Sequence, residues 1–240
     1  MNTRLRSILA ATAVALSLVR ATSIQAADTM PGPVYPKSST ALLVIDPYND
    51  FLSEGGKLWG YTKETAESVQ LIDHMKQTLE AARAAGIKVF IVPHRRYRAG
   101  DWEDAKFLPY HTNIAMIKGM KLFEDGSWGG QFRTEFAPQA GDIVVSEHWV
   151  SSGFQKSNLD EQLKKNGIDH VVLMGMRANT CIESTLREAV ERGYHTTVIS
   201  DAVAAFNFTE LKASLDVNYP IYAHALLTAD RFEAALASLK

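Results

Sequence analysis

Residues Val171 to Phe206 read VVLMGMRANTCIESTLREAVERGYHTTVISDAVAAF, and this stretch decides the fold. His170 to Met174 (HVVLM) is a short, uninterrupted apolar run that suits a strand buried on both faces of a parallel sheet better than one with a wet side. Thr180 to Arg192 follows as a helix stopped by Gly193, and His195 to Ser200 (HTTVIS) is the next strand. A strand, a helix and a second strand in this order are the unit of a parallel sheet.

The same alternation runs outward in both directions. Toward the N-terminus, Ala41 to Ile45 (ALLVI) is a buried-type strand ending in Asp46-Pro47. Thr62 to Ala85 carries Val69, Ile72, Met75, Leu79 and Ala82 at helical spacing and stops at Gly86. Ile87 to Val92 (IKVFIV) is the second strand, closed by Pro93, and Asp142 to Val145 is the third. Between them Tyr97 to Ala140 reads as loop with short helices, and long loops in compact domains usually serve function. Leu159 to Lys165 is a helix. Toward the C-terminus, Thr209 to Val217 is helical, Ala225 to Thr228 a short last strand and Asp230 to Leu239 a closing helix. The predicted architecture is one α/β domain, a three-layer sandwich around a mostly parallel sheet of roughly six strands.

Composition agrees with a globular enzyme or binding domain. The 240 residues are 46% hydrophobic and 22% charged, and 25 basic against 27 acidic side chains leave a net charge of −2. No broad field exists to hold nucleic acid, so a small molecule is the expected partner. The N-terminus has the layout of a secretory signal peptide over residues 1–27: Arg4 and Arg6, the uncharged run Ser7 to Val19, then small residues from Ala21 to Ala27. A run this short is below the roughly eighteen residues that span a bilayer, so the expectation is a periplasmic or secreted chain with no membrane contact after cleavage. Residues 28–39, with Pro31, Pro33 and Pro36, form an irregular lead-in, and the domain occupies residues 40–240.

The single cysteine, Cys181, excludes an intramolecular disulfide. By default a free cysteine is a small core hydrophobe. Ligands of parallel sheets, however, gather at the carboxyl ends of the strands, and here those ends deliver a chemical set. The first strand supplies Asp46, the second His94, the third Glu147 and His148, and the fourth the loop Gly175 to Thr180 that ends in Cys181. In the first turn of a helix, unpaired N–H groups and the helix dipole lower a thiol's pKa, which predicts a nucleophilic thiolate with oxyanion donors beside it.

Three segments carry a resemblance: ALLVIDPYNDF (Ala41 to Phe51), GSWGGQFRTEFAPQAGDIVVSEHWVSSGF (Gly126 to Phe154) and the opening stretch. Over roughly Thr40 to the C-terminus the chain resembles the isochorismatase-like cysteine hydrolases, a superfamily with a Rossmann-like fold that includes nicotinamidases and N-carbamoylsarcosine amidase. The resemblance implies an Asp-Lys-Cys triad in which Asp46 is general base and Cys181 the nucleophile that becomes acylated. It implies a cis peptide between Met176 and Arg177, with the N–H groups of Arg177 and Cys181 as oxyanion hole. It also implies assembly into a homo-oligomer.

The triad lysine is missing. Val145-Ser146-Glu147-His148-Trp149 stands in its place, and counting from Asp142 puts Glu147 in the slot, although the stretch to Phe154 is one residue longer than the common pattern. Three readings follow: Glu147 is a hydrogen-bonding partner in a modified triad, His148 takes the positive role, or amidase activity is lost. The leading assignment is Asp46, Glu147 and Cys181 as catalytic residues. Lys156 reads as a solvated lysine at a helix start. A glutamate beside Asp46 would raise the pKa of one carboxylate and discourage a thiolate.

Around these residues, the aromatics Tyr48, Phe51, Trp59, Trp128 and Trp149 cluster at the strand ends and would wall an apolar pocket. Tyr48, Phe51, Trp59 and Trp149, with His94, His148 and Asn179, are the expected substrate contacts. Arg95, Arg96 and Arg98 form either a clamp for a substrate carboxylate or a solvated loop. The metal pattern of nicotinamidases is broken, because the residue two before His94 is Val92; His94, Asp101 and His111 remain a weaker set, and no metal or cofactor is expected. Asp46, Tyr48 and Asp50 do not make a calcium loop, since Phe51 stands where glycine is needed. The expected function is hydrolysis of a C–N bond in a small amide or carbamoyl compound through a Cys181 thioester. The alternatives are isochorismatase-type ether hydrolysis using Asp46 without the thiol, a non-catalytic binding protein, and a redox thiol.

Overall fold

The computed structural model describes residues 33–100 and 112–237. The expected signal peptide, Asp101 and His111 lie outside the described residues. Six strands form one all-parallel sheet: β1 (Thr40–Ile45), β2 (Lys88–Val92), β3 (Ile143–Val144), β4 (His170–Met176), β5 (His195–Ala204) and β6 (Ala225–Leu227). The helices are α1 (Asn49–Leu52), α2 (Trp59–Ser68), α3 (Leu71–Ala85), α4 (Thr112–Met120), α5 (Leu159–Lys165), α6 (Glu183–Glu191), α7 (Phe208–Lys212), α8 (Tyr219–Tyr222) and α9 (Ala229–Ala237).

Two apolar layers explain why the strands lack polar alternation. All six residues of β1 are buried, and successive side chains point to opposite faces. Leu42 and Val44 join Leu71, Met75, Leu79 and Phe232 on one side, whereas Ala41, Leu43 and Ile45 join Leu159, Leu163, Ile182 and Leu186 on the other. Truncating one of these side chains, as in Leu43→Ala, removes apolar burial and leaves a cavity, at a cost of about 2–5 kcal/mol.

The expected three-layer parallel architecture is present, with differences at element ends. The helix read from Thr62 to Ala85 is two helices, broken where Gln70 takes φ 49°. Gly86 ends α3 in the left-handed region as its position predicted, and Ile87 donates back to the Ala82 carbonyl. The helix expected from Thr180 begins earlier, as a π-type turn over Ala178–Ile182 that runs into α6. The segment Thr209 to Val217 is interrupted in the same way over Ala213–Asn218.

Strand order is β3-β2-β1-β4-β5-β6. The chain runs outward from β1 to β3 and then crosses back to place β4 beside β1. The crevice between the carboxyl ends of β1 and β4 is therefore the switch point at which parallel sheets bind ligands. Gly175 makes the close approach possible: its φ is 119°, and a Cβ there would lie 2.1 Å from the Ile45 carbonyl oxygen. Only glycine fits a backbone that close.

Candidate active site

Asp46 leaves β1 with φ 53°, a left-handed conformation that Asp tolerates better than most residues. The turn aims its side chain into the switch-point crevice, where it is fully buried. From the end of β4 the chain passes through the Met176–Arg177 peptide, which is cis as the resemblance implied, and delivers Cys181 in the π-type turn. Asp46, His148 and Cys181 converge there: one ligand-type atom from each lies within 4.8 Å of the other two.

The third corner corrects the assignment of Glu147. Phe90 pairs with Ile143 and Ile91 with Val144, but His94 bridges to His148 rather than to residue 147. One extra residue is thus accommodated after β3, as in a bulge, and a one-residue shift reverses the face to which each side chain points. His148 turns inward and its Nε2 lies 3.0 Å from Asp46 Oδ1. Glu147 turns outward, where Arg96 Nη1 and Arg98 Nη1 each donate to its carboxylate at 2.8 Å. Burial alone would raise the Glu147 pKa; the bonds from Arg98 and Arg96 outweigh it and hold the carboxylate down at about 2.

Electrostatics overturn the expectation of a preformed thiolate. Cys181 is 5% exposed, and burial, followed by the charge of Asp46, pushes its thiol well above the ordinary value. The resting sulfur is thus the neutral thiol, held beside Asp46. With Asp46 ionised, His148 donates through Nε2; its Nδ1 and Asp46 Oδ2 are buried with no hydrogen-bond partner among the described residues. His94 packs edge-on to His148 at 5.0 Å between ring centroids. Burial and the neighbouring His148 lower the His94 pKa to about 4. Neutral, it donates to only one of the two carbonyl oxygens in reach, Arg95 O at 2.7 Å or Val150 O at 3.0 Å.

A cavity opens on Cys181, lined by Phe51, His94, Phe123, Val150, Arg177 and Thr180 among others. Phe51 and His94 thus lie where the sequence placed them. Tyr48 is fully buried behind this wall, its hydroxyl donating to the His94 carbonyl at 2.7 Å and its ring stacked on Phe123 at 4.7 Å. Trp59 lies instead in a separate depression with Leu71 and Ile72. Trp149 packs beneath the exposed Lys156, whose ammonium sits 3.7 Å from the ring centroid, and Arg95 covers the same ring at 4.7 Å. Trp128 is half exposed, and Asn179 Oδ1 is buried without a hydrogen-bond partner among the described residues. The carboxylate clamped by Arg96 and Arg98 is the protein's own Glu147. Asn113, Met116 and Ile117 of α4 also reach the cavity; the sequence marked only a functional loop there.

Arg177 follows the cis bond with its side chain folded away over Phe206, 3.7 Å from the ring centroid, and within 3.3 Å of Glu210. Its backbone is left at the mouth of the turn that carries Cys181.

Residues 40–230 match the family model described as the isochorismatase domain. The chain belongs to the isochorismatase family. Within that family it is 34% identical over 185 residues to the ureidoacrylate amidohydrolase RutB of Yersinia enterocolitica, covering 73% of this chain and 80% of the relative. The RutB protein of Serratia proteamaculans is 34% identical over 200 residues, covering 77% and 80%. Among solved structures, a cysteine hydrolase from Pseudomonas syringae pv. phaseolicola superposes with a TM-score of 0.70 at 25% identity, over 88% of this chain and all of that one. N-carbamoylsarcosine amidase from Thermoplasma acidophilum gives a TM-score of 0.60 at 29% identity, over 80% and 97%. This isochorismatase-family chain is a hydrolase.

Proposed function

We propose that this hydrolase cleaves a C–N bond of a small amide, ureido or carbamoyl compound through an acyl-enzyme on Cys181. The convergence of Asp46, His148 and Cys181 carries the reading, and the similarity to proteins named as ureidoacrylate amidohydrolases and N-carbamoylsarcosine amidase supports the substrate class. In the first step Asp46 takes the thiol proton as sulfur bonds to the carbonyl carbon. A base is required at that moment because burial keeps the thiol protonated at rest. The N–H groups of Arg177 and Cys181 receive the oxyanion. Protonated Asp46 then gives its proton to the leaving nitrogen, the C–N bond breaks, and a thioester and an amine or ammonia result. Water attacks the thioester, its proton passing to Asp46 and then back to sulfur as the acid leaves. His148, through its Nε2 bond to Asp46, orients the base and in this reading takes the part of the lysine that the resemblance implies.

Export to the periplasm or beyond belongs to the same proposal, supported by Arg4, Arg6 and the apolar run Ser7 to Val19. N-terminal sequencing of the protein from fractionated cells tests it.

The activity is tested on a panel of ureido and carbamoyl acids with wild type and Cys181→Ala. Release of ammonia by wild type and none by the variant is the expected result. Full turnover by Cys181→Ala would instead indicate a thiol-independent hydrolysis using Asp46.

A further inference from the structure

Lysine at the third corner of this site would repel a cation, whereas histidine is a metal ligand. Asp46, His148 and Cys181 supply a carboxylate oxygen, an imidazole nitrogen and a thiolate sulfur, the three donor types that zinc takes. One such atom from each residue lies within 4.8 Å of the others. Zinc bonds of about 2.0–2.3 Å place tetrahedral ligands roughly 3.3–3.7 Å apart, so side-chain rotations of about an ångström would close the set. Asp46 and His148 are fully buried, and Asp46 Oδ2 has no hydrogen-bond partner among the described residues. The only donor beside that carboxylate among the described residues, apart from His148, is the Cys181 thiol, and loss of its proton would leave a sulfur and a carboxylate oxygen together facing a cation. The cavity beside Cys181, about 30 Å³, has room for one water as a fourth ligand.

We propose that Asp46, His148 and Cys181 bind a thiophilic divalent cation of the zinc type, which masks the Cys181 sulfur and holds the enzyme in a reversibly inactive form. On binding, the thiol S–H bond breaks, its electron pair goes to the metal and its proton to solvent. The imidazole proton moves from Nε2 to Nδ1, freeing the Nε2 lone pair, and nothing is oxidised or reduced. The proposal uses the same three residues as the hydrolytic reading, but it is read by metal content, so either can fail without the other.

Equilibrium dialysis of chelator-treated full-length protein against Zn²⁺ tests it, beside Cys181→Ser, His148→Lys and the surface variant His195→Ala. Wild type and His195→Ala are expected to bind one equivalent. Cys181→Ser and His148→Lys should bind at least about 100-fold more weakly, since even outer-shell partners of a metal contribute 10–100-fold. Thermal unfolding checks that the variants fold; should Cys181→Ser not fold, wild type alone decides, because its Co²⁺ form must show a sulfur-to-cobalt charge-transfer band. Absence of binding or of that band in wild type overturns the proposal. So does undiminished binding by Cys181→Ser, which would move the cation elsewhere, for example to His170, His195 and His224 at the opposite ends of the strands, whose rings pack in a row.

Discussion

His148 Nε2 and Asp46 Oδ1 lie 3.0 Å apart, and neither side chain is exposed. Deleting one member of a buried hydrogen-bonded pair strands the other away from water. His148→Ala is therefore expected to lower stability by about 3 kcal/mol, within the range for breaking buried pairs. Urea unfolding measures it, and a loss below about 1 kcal/mol would mean that Asp46 finds another donor.

Alkylation by iodoacetamide should be slow at neutral pH and rise only well above pH 8.5, the ordinary thiol value of about 8.5 being exceeded in the fold. The folded thiol holds its proton more tightly than the unfolded one. Its contribution to stability is thus fully present below about pH 8.5 and is lost as the pH rises from there through the higher folded value. Stability curves of wild type and Cys181→Ser, compared from pH 7 to 10, should converge upward in pH. A labelling midpoint at or below 8.5 contradicts this.

Glu147→Gln should behave as a structural change. Removing the charge that Arg96 and Arg98 share is expected to cost about 1–3 kcal/mol at pH 7, the range for hydrogen bonds to charged groups. Because the Glu147 pKa is held at about 2, its stabilisation is present above the unfolded value of about 4.5 and disappears as pH falls through about 2. Acid titrations followed by circular dichroism should show the wild-type advantage vanishing across that window.

Gly175→Ala should fail to fold or lose at least about 3 kcal/mol, since the added Cβ would meet the Ile45 carbonyl at 2.1 Å with a φ of 119°. Soluble yield and thermal unfolding report the outcome, and a near-native melting temperature would contradict the close packing of β1 on β4.

The strands were legible because each is a short apolar run closed by a polar or breaking residue, as in ALLVI before Asp46-Pro47. Asp46 and Cys181 were legible for the same reason, since parallel topology sends the ends of β1 and β4 to one crevice. The choice between Glu147 and His148 was not. It depends on where one extra residue is absorbed, and pairing of His94 with His148 is a contact between distant segments that local pattern does not encode. The thiol's protonation is not legible either, because the helix terminus pulls its pKa down while burial beside Asp46 pushes it up, and burial is a property of the fold. Trp59 lies away from the cavity for a similar reason, and Arg96 pairs with Glu147, because proximity in sequence to a strand end does not determine where a side chain turns.

His148, and not Glu147, is the partner of Asp46. The most direct test is kcat/KM on a ureido or carbamoyl acid turned over by wild type, measured for Glu147→Gln and His148→Gln at a temperature where both variants are folded. Glu147→Gln should stay within about tenfold of wild type, and His148→Gln should fall by about 100-fold or more, as expected for a group that positions a general base. The reverse order, with Glu147→Gln inactive and His148→Gln near wild type, would contradict it.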